Sequence, residues 1–303
     1  MMERADRVRV AAHAKVNLLL RILAAERAGM HQIETVFALL ELSDEILVTR
    51  TSAAGEVRLD VRGADTGPAE ENLAVRAARA VLEATGERFG VHIQLEKRIP
   101  IRAGLGGGSS DAGATLHAVN QLANGAVPQP ELLHFATRLG ADVAFFASRA
   151  PLALAWGHGE RLFHTPAPPA APALVAVPRV AVSTADAYRW WDEASGGNSG
   201  GPTRGALVLD PAAFATWGSV GRLGGNDFET VVFGHHPRIR ELFERVAGTR
   251  PYWVRMCGSG SAVAAVYATE RLRDDAALEL GTSHQALLRT ATRAALAPAP
   301  VPY

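Results

Sequence analysis

The chain is organised around one stretch, Lys97-Arg-Ile-Pro-Ile-Arg-Ala-Gly-Leu-Gly-Gly-Gly-Ser-Ser-Asp-Ala-Gly-Ala-Thr-Leu-His-Ala-Val-Asn120. Residues 91–96, just before it, alternate apolar and polar side chains, which is the period of a β-strand with one buried face. Apolar residues recur at helical spacing from Leu116 to Leu122. The sequence therefore predicts a strand, a glycine-rich loop and a helix in succession.

The loop carries glycine at positions 104 and 106–108. Because glycine has no side chain, a ligand can reach main-chain N–H groups there, and a positive φ is easily adopted. The start of the helix adds unpaired N–H donors and the positive end of the helix dipole, so we expect the ligand to be a phosphate. Ser109, Ser110 and Asp111 are predicted to cap the helix, and the two serine hydroxyls are candidate donors or metal ligands.

Two other known glycine-rich phosphate-binding motifs match this stretch less well. A Walker loop ends in Gly-Lys-Ser or Gly-Lys-Thr, and no lysine follows these glycines. A dinucleotide loop reads G-x-G-x-x-G, whereas Ser109 stands in the place of the third glycine. A flexible turn without function has no reason to lie between a strand and a helix.

The composition predicts a soluble, cytoplasmic protein of two domains. A length of 303 residues exceeds the usual size of one domain. The 31 basic and 31 acidic residues cancel, which argues against a broad nucleic-acid surface. Cys257 is the only cysteine, so no internal disulfide can form, and we interpret it as a packing residue. We expect no signal peptide, and no window approaches the ~20 apolar residues of a membrane helix.

The pattern P-x-x-x-G-L-G-G-G-S-S-D-A, from Pro100 to Ala112, resembles the ATP-binding motif of the galactokinase, homoserine, mevalonate and phosphomevalonate (GHMP) kinase superfamily. The resemblance implies that ATP is bound by Pro100, Ile101, Arg102, Ala103, Gly104, Leu105, Gly106, Gly107, Gly108, Ser109 and Ser110. Mg²⁺ is expected with ATP, although the resemblance assigns no protein ligands to it.

The same resemblance implies an α+β fold in two domains. Residues 1–164 would form an ATP-binding domain like domain 2 of ribosomal protein S5, and residues 165–303 a ferredoxin-like domain. The active site would lie in the cleft between the two domains. The turn Met256-Cys-Gly-Ser-Gly-Ser-Ala-Val263 resembles the third motif of the superfamily, which approaches the phosphates from the second domain.

Lys15 and Asn17 are separated by two positions on a predicted strand, so they lie on the same face of it. Without further context they would be an edge lysine and a solvated asparagine. Their surroundings resemble the opening motif of one superfamily branch, whose kinases phosphorylate a cytidine-diphosphate-linked methylerythritol. In that branch an aromatic ring where Met30 stands stacks on the cytosine, and a histidine matching His31 bonds to it; the alternative for His31 is a surface turn residue.

Gly140-Ala-Asp142-Val places an aspartate just after a predicted helix end, where it would ordinarily cap the next element. The resemblance instead implies that Asp142 is the catalytic base, with Lys15 holding it ionised and drawing the acceptor hydroxyl or the γ-phosphate into line. The resemblance also makes Thr184 and Tyr188 substrate-binding residues, together with Asn17 and His31. The alternative for Tyr188 is a core tyrosine at a helix start.

The sequence therefore predicts ATP-dependent phosphorylation of the 2-hydroxyl group of a cytidine diphosphate polyol in non-mevalonate isoprenoid synthesis. Its partner would be this small molecule, with no nucleic acid or membrane, and the enzyme would be a monomer or homodimer. Two alternatives are a related kinase for homoserine or a mevalonate-like substrate, and a catalytically silent ligand sensor. Retention of both Lys15 and Asp142 argues against the sensor. We also expect residues 195–205 to form a mobile loop and residues 295–303 to be frayed.

Overall fold

The computed structural model describes residues 6–26, 30–195, 210–282 and 284–303. The predicted mobile loop falls outside the described residues from position 196 onward, and so do residues 27–29 before Met30.

The strands follow the alternating and apolar runs of the sequence. They are β1 (Arg7–Ala25), β2 (His31–Thr51), β3 (Val57–Arg62), β4 (Gly90–Glu96), β5 (Leu152–Gly157), β6 (Arg161–His164), β7 (Pro172–Val177), β8 (Trp253–Met256), β9 (Val263–Val266), β10 (Ala286–Ala291) and β11 (Val301–Pro302). Strand β2 runs unbroken to Thr51.

The helices follow the segments of helical periodicity. They are α1 (Leu73–Ala84), α2 (Gly107–Leu122), α3 (Gln129–Leu139), α4 (Ala141–Ser148), α5 (Thr184–Ala194), α6 (Trp217–Val220), α7 (Phe228–His235), α8 (Pro237–Gly248) and α9 (Glu270–Leu280), with 3₁₀ turns at Ala69–Glu71 and Pro211–Phe214. The Asn72 side chain caps α1 by accepting a hydrogen bond from the Ala74 N–H. None of the described helices has the length and apolar character needed to span a bilayer.

Two sheets organise the described chain. The first has the order β11-β1-β2-β4-β3, with β5 paired to the first half of β2 and β6 paired to β5. Its pairings are antiparallel except for β3 with β4. The second sheet has the order β10-β7-β9-β8 and is antiparallel throughout.

The glycine-rich stretch forms the centre of the first layer of helices. Helix α2 packs on β1 and between α1 and α4, and its residues from Ser110 to Leu122 are mostly buried. A hydrophobic cluster joins the two sheets, because it contains Val16 of β1, Leu105 of the loop and Val175 of β7. This shared core holds the loop against the second sheet.

The end of the chain is ordered, and the prediction that it is frayed is wrong. Strand β11 pairs with β1, with Pro302 opposite Val8. Further inward, the Arg149 guanidinium donates two hydrogen bonds to the Ala297 carbonyl, at 2.9 and 2.6 Å. The last residues therefore add an edge strand to the first sheet. The strands that precede them in the chain, β7 to β10, form the second sheet.

Candidate active site

The glycine-rich loop turns directly into α2. Gly106 is the N-cap of the helix and has a φ of 71°, and Gly104 has a φ of 77°, so both adopt a conformation that favours glycine. The predicted capping by Ser109, Ser110 and Asp111 is wrong, because the helix already begins at Gly107. The hydroxyl of Ser110 instead donates a 2.6 Å hydrogen bond to the His13 carbonyl and ties α2 to β1.

The glycines of the loop are required for different reasons. A Cβ atom on Gly104 would lie 1.8 Å from the Cys257 carbonyl oxygen, so the loop backbone touches the backbone of the third motif. A Cβ on Gly106 would lie 2.9 Å from the Phe146 ring. A Cβ on Gly108 would meet no described atom within 4 Å. Packing therefore explains the first two glycines, whereas Gly108 leaves open space beside the helix start.

The three motifs identified in the sequence meet at this loop. The Lys15 N–H donates to the Leu105 carbonyl at 3.0 Å, and the Ala262 N–H donates to the Ala103 carbonyl at 3.2 Å. The amide of Asn226 donates to the carbonyls of Met256 and Gly258 at 2.9 and 2.6 Å and fixes the glycine turn of the third motif.

Lys15 and Asp142 face each other at this junction. The Lys15 Nζ lies 3.5 Å from the Asp142 Oδ2, and the side chains are 5% and 30% exposed, respectively. Lys15 also donates a 2.7 Å hydrogen bond to the Asn17 Oδ1, and the Asn17 amide donates to the Thr35 hydroxyl at 2.8 Å. Lys15 and Asn17 are thus on one face of β1, as predicted, and Asn17 fixes the position of the lysine ammonium group.

Asp142 lies in the first turn of α4 without capping it. The N-cap is Gly140, which has no side chain that could cap the helix. A carboxylate in the first helical turn is favoured by the helix dipole, and its partial exposure leaves it open to a ligand. The ordinary capping explanation therefore does not account for this aspartate.

A buried ion-pair network holds the segment that leads into the loop and the start of α2. The Lys97 ammonium contacts Asp44 Oδ2 and donates to Asp111 Oδ2 at 2.7 Å, and all three side chains are buried. Asp44 Oδ1 accepts the N–H groups of Arg98 and Ile99, at 2.6 and 2.8 Å, which anchors the segment leading into the loop.

The network changes the proton affinity of its members. Burial, opposed by Lys97 and reinforced by Asp44, raises the pKa of Asp111 to about 7. Burial by itself lowers the pKa of Lys97, but the attraction of Asp111 and Asp44 outweighs it and raises that pKa. The Oδ1 of Asp111 has no hydrogen-bond partner among the described residues.

A cavity of about 370 Å³ lies beside the loop. It runs from the loop to the start of α1 and is lined by residues that include Thr66, Asn72, Leu73, Lys97, Ile99 and the segment 100–109. The sequence-predicted ATP residues thus form one wall of a single cavity, except for the buried Ser110. Asn72 and Leu73 also line the cavity, but they were not predicted as site residues, because α1 contains no motif that was recognised in the sequence.

The predicted substrate residues on β2 and α5 form an aromatic cluster. The rings of His31 and Tyr188 stack at 4.3 Å, and Trp191 lies edge-on to His31 at 5.7 Å. The Nε2–H of His31 donates to Asp192 Oδ1 at 2.8 Å, and the His31 side chain is only 2% exposed. His31 is therefore not a surface turn residue, and Met30 before it is 48% exposed.

This cluster is close to the Lys15–Asp142 pair. Burial first, and then the negative charge of Asp142, raise the pKa of Tyr188 to about 12. Thr184, at the start of α5, shares a 2.8 Å hydrogen bond with the hydroxyl of Ser259 in the third motif. The structure thus brings all the predicted site residues to one region.

Several site residues were missed from the sequence. They are Asp44, Lys97, Asp111, Asp192 and Asn226, which support the loop, the histidine or the third motif through side-chain contacts. Lys97 and Asp111 lie within the decisive stretch, and that position is a signal that could have directed attention to them, although charged neighbours such as Arg98 share it. Asp44 and Asp192 carry no such signal.

Comparison with known proteins identifies two domains in the chain. Residues 72–149 match the model of the GHMP kinases N-terminal domain, and residues 212–285 match that of the GHMP kinases C-terminal domain. The predicted α+β architecture of two GHMP kinase domains is confirmed by these matches and by the solved structures described next.

Similar proteins and structures cover nearly the whole chain. The 4-diphosphocytidyl-2-C-methyl-D-erythritol kinase of Symbiobacterium thermophilum is 39% identical over 85% of this chain and 89% of its own, and that of Solibacter usitatus is 37% identical over 83% and 78%. A crystal structure of 4-(cytidine 5′-diphospho)-2C-methyl-D-erythritol kinase has a TM-score of 0.77 at 33% identity, covering 94% of this chain and 98% of that one.

A homoserine kinase from Cytophaga hutchinsonii has a TM-score of 0.69 at 20% identity, covering 99% of this chain and 98% of its own, which shows a shared fold. The identity and coverage of the first relatives show more than a fold: this chain belongs to the 4-diphosphocytidyl-2-C-methyl-D-erythritol kinase family of the GHMP kinases.

Proposed function

We propose that the protein transfers the γ-phosphoryl group of ATP to the 2-hydroxyl group of 4-diphosphocytidyl-2-C-methyl-D-erythritol, a step of non-mevalonate isoprenoid synthesis. The observation that carries the proposal is the Lys15–Asp142 pair, whose charged atoms lie 3.5 Å apart where the three motifs meet. GHMP kinases use ATP, so family membership supports the identity of the phosphoryl donor.

The nucleotide would occupy the cavity beside the glycine-rich loop. The N–H groups at the start of α2 are unpaired by the helix itself and favour anionic oxygens. Gly108 keeps this helix end free of side chains, so the triphosphate can approach the backbone. The part of the cavity at Asn72 and Leu73 would receive the base.

Asp142 would act as the general base. As the acceptor oxygen attacks the γ-phosphorus, the proton of the 2-hydroxyl passes to the Asp142 carboxylate, the bond from the γ-phosphorus to the bridging oxygen breaks, and ADP leaves. Phosphoryl transfer depends on positioning and on charge stabilisation more than on covalent catalysis. Lys15, fixed by Asn17 and by the loop, would attract the γ-phosphate and orient the attacking group.

Mg²⁺ fits this site as an ion held mainly by ATP. The described residues include no cluster of three or more His, Cys, Asp or Glu side chains suited to a metal ion. Magnesium needs no such cluster, because it is commonly bound by phosphates and one or two protein oxygens. Ser109 lines the cavity, and its hydroxyl would hold the ion, which neutralises phosphate charge when bound.

The aromatic cluster would bind the cytidine half of the acceptor. His31 covers one face of Tyr188, so a cytosine ring stacks on Tyr188 only from its opposite face or after His31 swings away. Asp192 accepts a hydrogen bond from the Nε2–H of His31, so the Nδ1 atom of His31 is left as an acceptor. It would accept a hydrogen bond from the amino group of cytosine, a group that uracil lacks. Thr184 and Asn17 would contact the remainder of the acceptor.

An assay of ATP consumption with four acceptors tests the proposal. The purified protein should phosphorylate the cytidine compound and leave homoserine and mevalonate unchanged. Its turnover with the uridine counterpart should be lower, since His31 then faces a carbonyl oxygen. Phosphorylation of homoserine or mevalonate in preference to the cytidine compound would overturn the acceptor assignment and leave the kinase assignment standing.

A further inference from the structure

A second cavity, of about 250 Å³, lies outside the site described above. It is bounded by the segment after β7, by α8 and by the residue two positions before β10. The charged and titratable residues in its lining are Arg179, Arg238, Glu241, Arg245 and His284. Arg238, Glu241 and Arg245 follow one another at intervals of three and four on α8, so they share one face of the helix.

The charge of this cavity is unbalanced. Its lining contains three guanidinium groups and one carboxylate, a net charge of +2. Arg179 and Arg238 make no hydrogen bond or salt bridge to any described residue. By contrast, Arg240 on the same helix is paired with Glu244 at 2.9 Å. Arg179 and Arg238 are therefore unpaired cations in the lining of this cavity.

A buried histidine in the same lining also lacks a partner. His284 is 9% exposed, and its Nδ1 atom has no hydrogen-bond partner within the described ranges. Burial, and then the charges of Arg245 and Arg179, lower the pKa of His284. Because buried polar atoms are nearly always hydrogen-bonded, this nitrogen indicates a ligand or water at the cavity.

We propose that this cavity binds a small phosphate-bearing anion, of the size of inorganic phosphate or diphosphate. A dianion balances the net charge of the lining, and planar guanidinium groups match phosphate oxygens in geometry. The cavity is smaller than the one assigned to ATP, which favours a small anion over a nucleotide. The neutral His284 ring can supply one further N–H donor.

The binding test follows the His284 ring by nuclear magnetic resonance, with its signals assigned by their loss in His284→Gln. Phosphate and diphosphate are titrated at constant ionic strength, with acetate as a carboxylate control. We expect a saturable shift of the His284 signals with phosphate or diphosphate and none with acetate. The local readout keeps this site distinct from the ATP site, which also attracts phosphates.

Arg179→Ala and Arg238→Ala should each weaken this binding about tenfold or more, because each removes a charge-assisted hydrogen bond. Both side chains are exposed and unpaired, so the variants should melt like the parent and keep its turnover. The matched control, Arg240→Ala, should bind like the parent. No saturable shift, equal binding of acetate, or an equal loss in Arg240→Ala would overturn the proposal.

Discussion

The glycine-rich loop and the aromatic cluster both adjoin the Lys15–Asp142 pair, but they are built in opposite ways. The loop presents backbone, and its shape is fixed by contacts with Cys257, Phe146 and a buried ion-pair network. The aromatic cluster presents side chains, which come from β2 and from α5, 157 residues apart at His31 and Tyr188. Nucleotide binding should therefore depend on the shape of the loop, and acceptor choice on individual side chains.

The largest effects are expected where the two regions meet. Lys15→Ala removes the cation that faces Asp142 and that, in the proposed mechanism, attracts the γ-phosphate, so turnover should fall roughly 10²-fold or more. In the proposed mechanism Lys15 and Asp142 act as one unit, so the double variant Lys15→Ala/Asp142→Asn should be little slower than either single variant. Steady-state kinetics of the three variants measures this coupling, and fully multiplicative losses would contradict it.

The loop can be tested by filling its open space. Gly108→Val places a branched side chain where no described atom lies within 4 Å, so the protein should melt normally while ATP loses its approach to the helix start. Loss of one or two charge-assisted hydrogen bonds should weaken ATP binding roughly 10- to 150-fold.

Gly234→Val is the matched control for that variant. Gly234 also has open space around it and lies in α7, away from the cavity. Calorimetric titration with ATP should distinguish the two variants. Normal ATP affinity in Gly108→Val would show that the loop is not the phosphate site.

The aromatic cluster should respond in acceptor binding alone. Base stacking on an aromatic ring is worth on the order of 1 to 3 kcal/mol, so Tyr188→Ala should raise the KM for the cytidine acceptor roughly 5- to 150-fold. Its KM for ATP should not change. Trp190→Ala on the same helix is the control, because Trp190 stacks on His235 instead of His31. Equal effects of the two substitutions would remove Tyr188 from base recognition.

A further expected effect is on the pH dependence of the unfolding free energy. The pKa of Asp111 rises from its ordinary value of 3.8 to about 7 on folding, so between these values the folded protein binds more protons than the unfolded chain. The contribution of Asp111 to stability is complete below the lower value and is lost as the pH rises through the higher one.

Asp111→Asn abolishes this titration, so the fall of unfolding free energy between about pH 4 and pH 7 should become shallower. Urea unfolding at several pH values measures the slope. Asp275→Asn, at an exposed position of α9, should leave the slope of the parent. An unchanged slope in Asp111→Asn would show that Asp111 is not the titrating group.

The same contrast explains what the sequence could predict. The loop, its helix and the third motif are contiguous, so their residue types alone reveal strand, turn and helix periods. Lys15 and Asn17 share a face because a strand has a period of two, and the structure confirms this. The order of the motifs was sufficient for the fold class.

What the sequence could not predict arises from contacts between distant segments. Lys97 was passed over because its two carboxylate partners lie 53 positions before it and 14 positions after it. The capping prediction for Ser109 failed because Gly106, with a φ of 71°, is the N-cap, so the helix begins two residues before Ser109. The frayed chain end was predicted from composition alone, which says nothing of the edge that β1 offers to β11.

In the proposed mechanism, Asp142 takes the proton of the acceptor, and the loop binds ATP independently of Asp142. Asp142→Asn keeps the shape of the side chain and removes its ability to accept a proton, so the direct test measures single-turnover phosphoryl transfer and ATP affinity on the same variant. We predict a transfer rate reduced roughly 10²-fold or more with ATP affinity nearly unchanged. A transfer rate within a few-fold of the parent would contradict the claim.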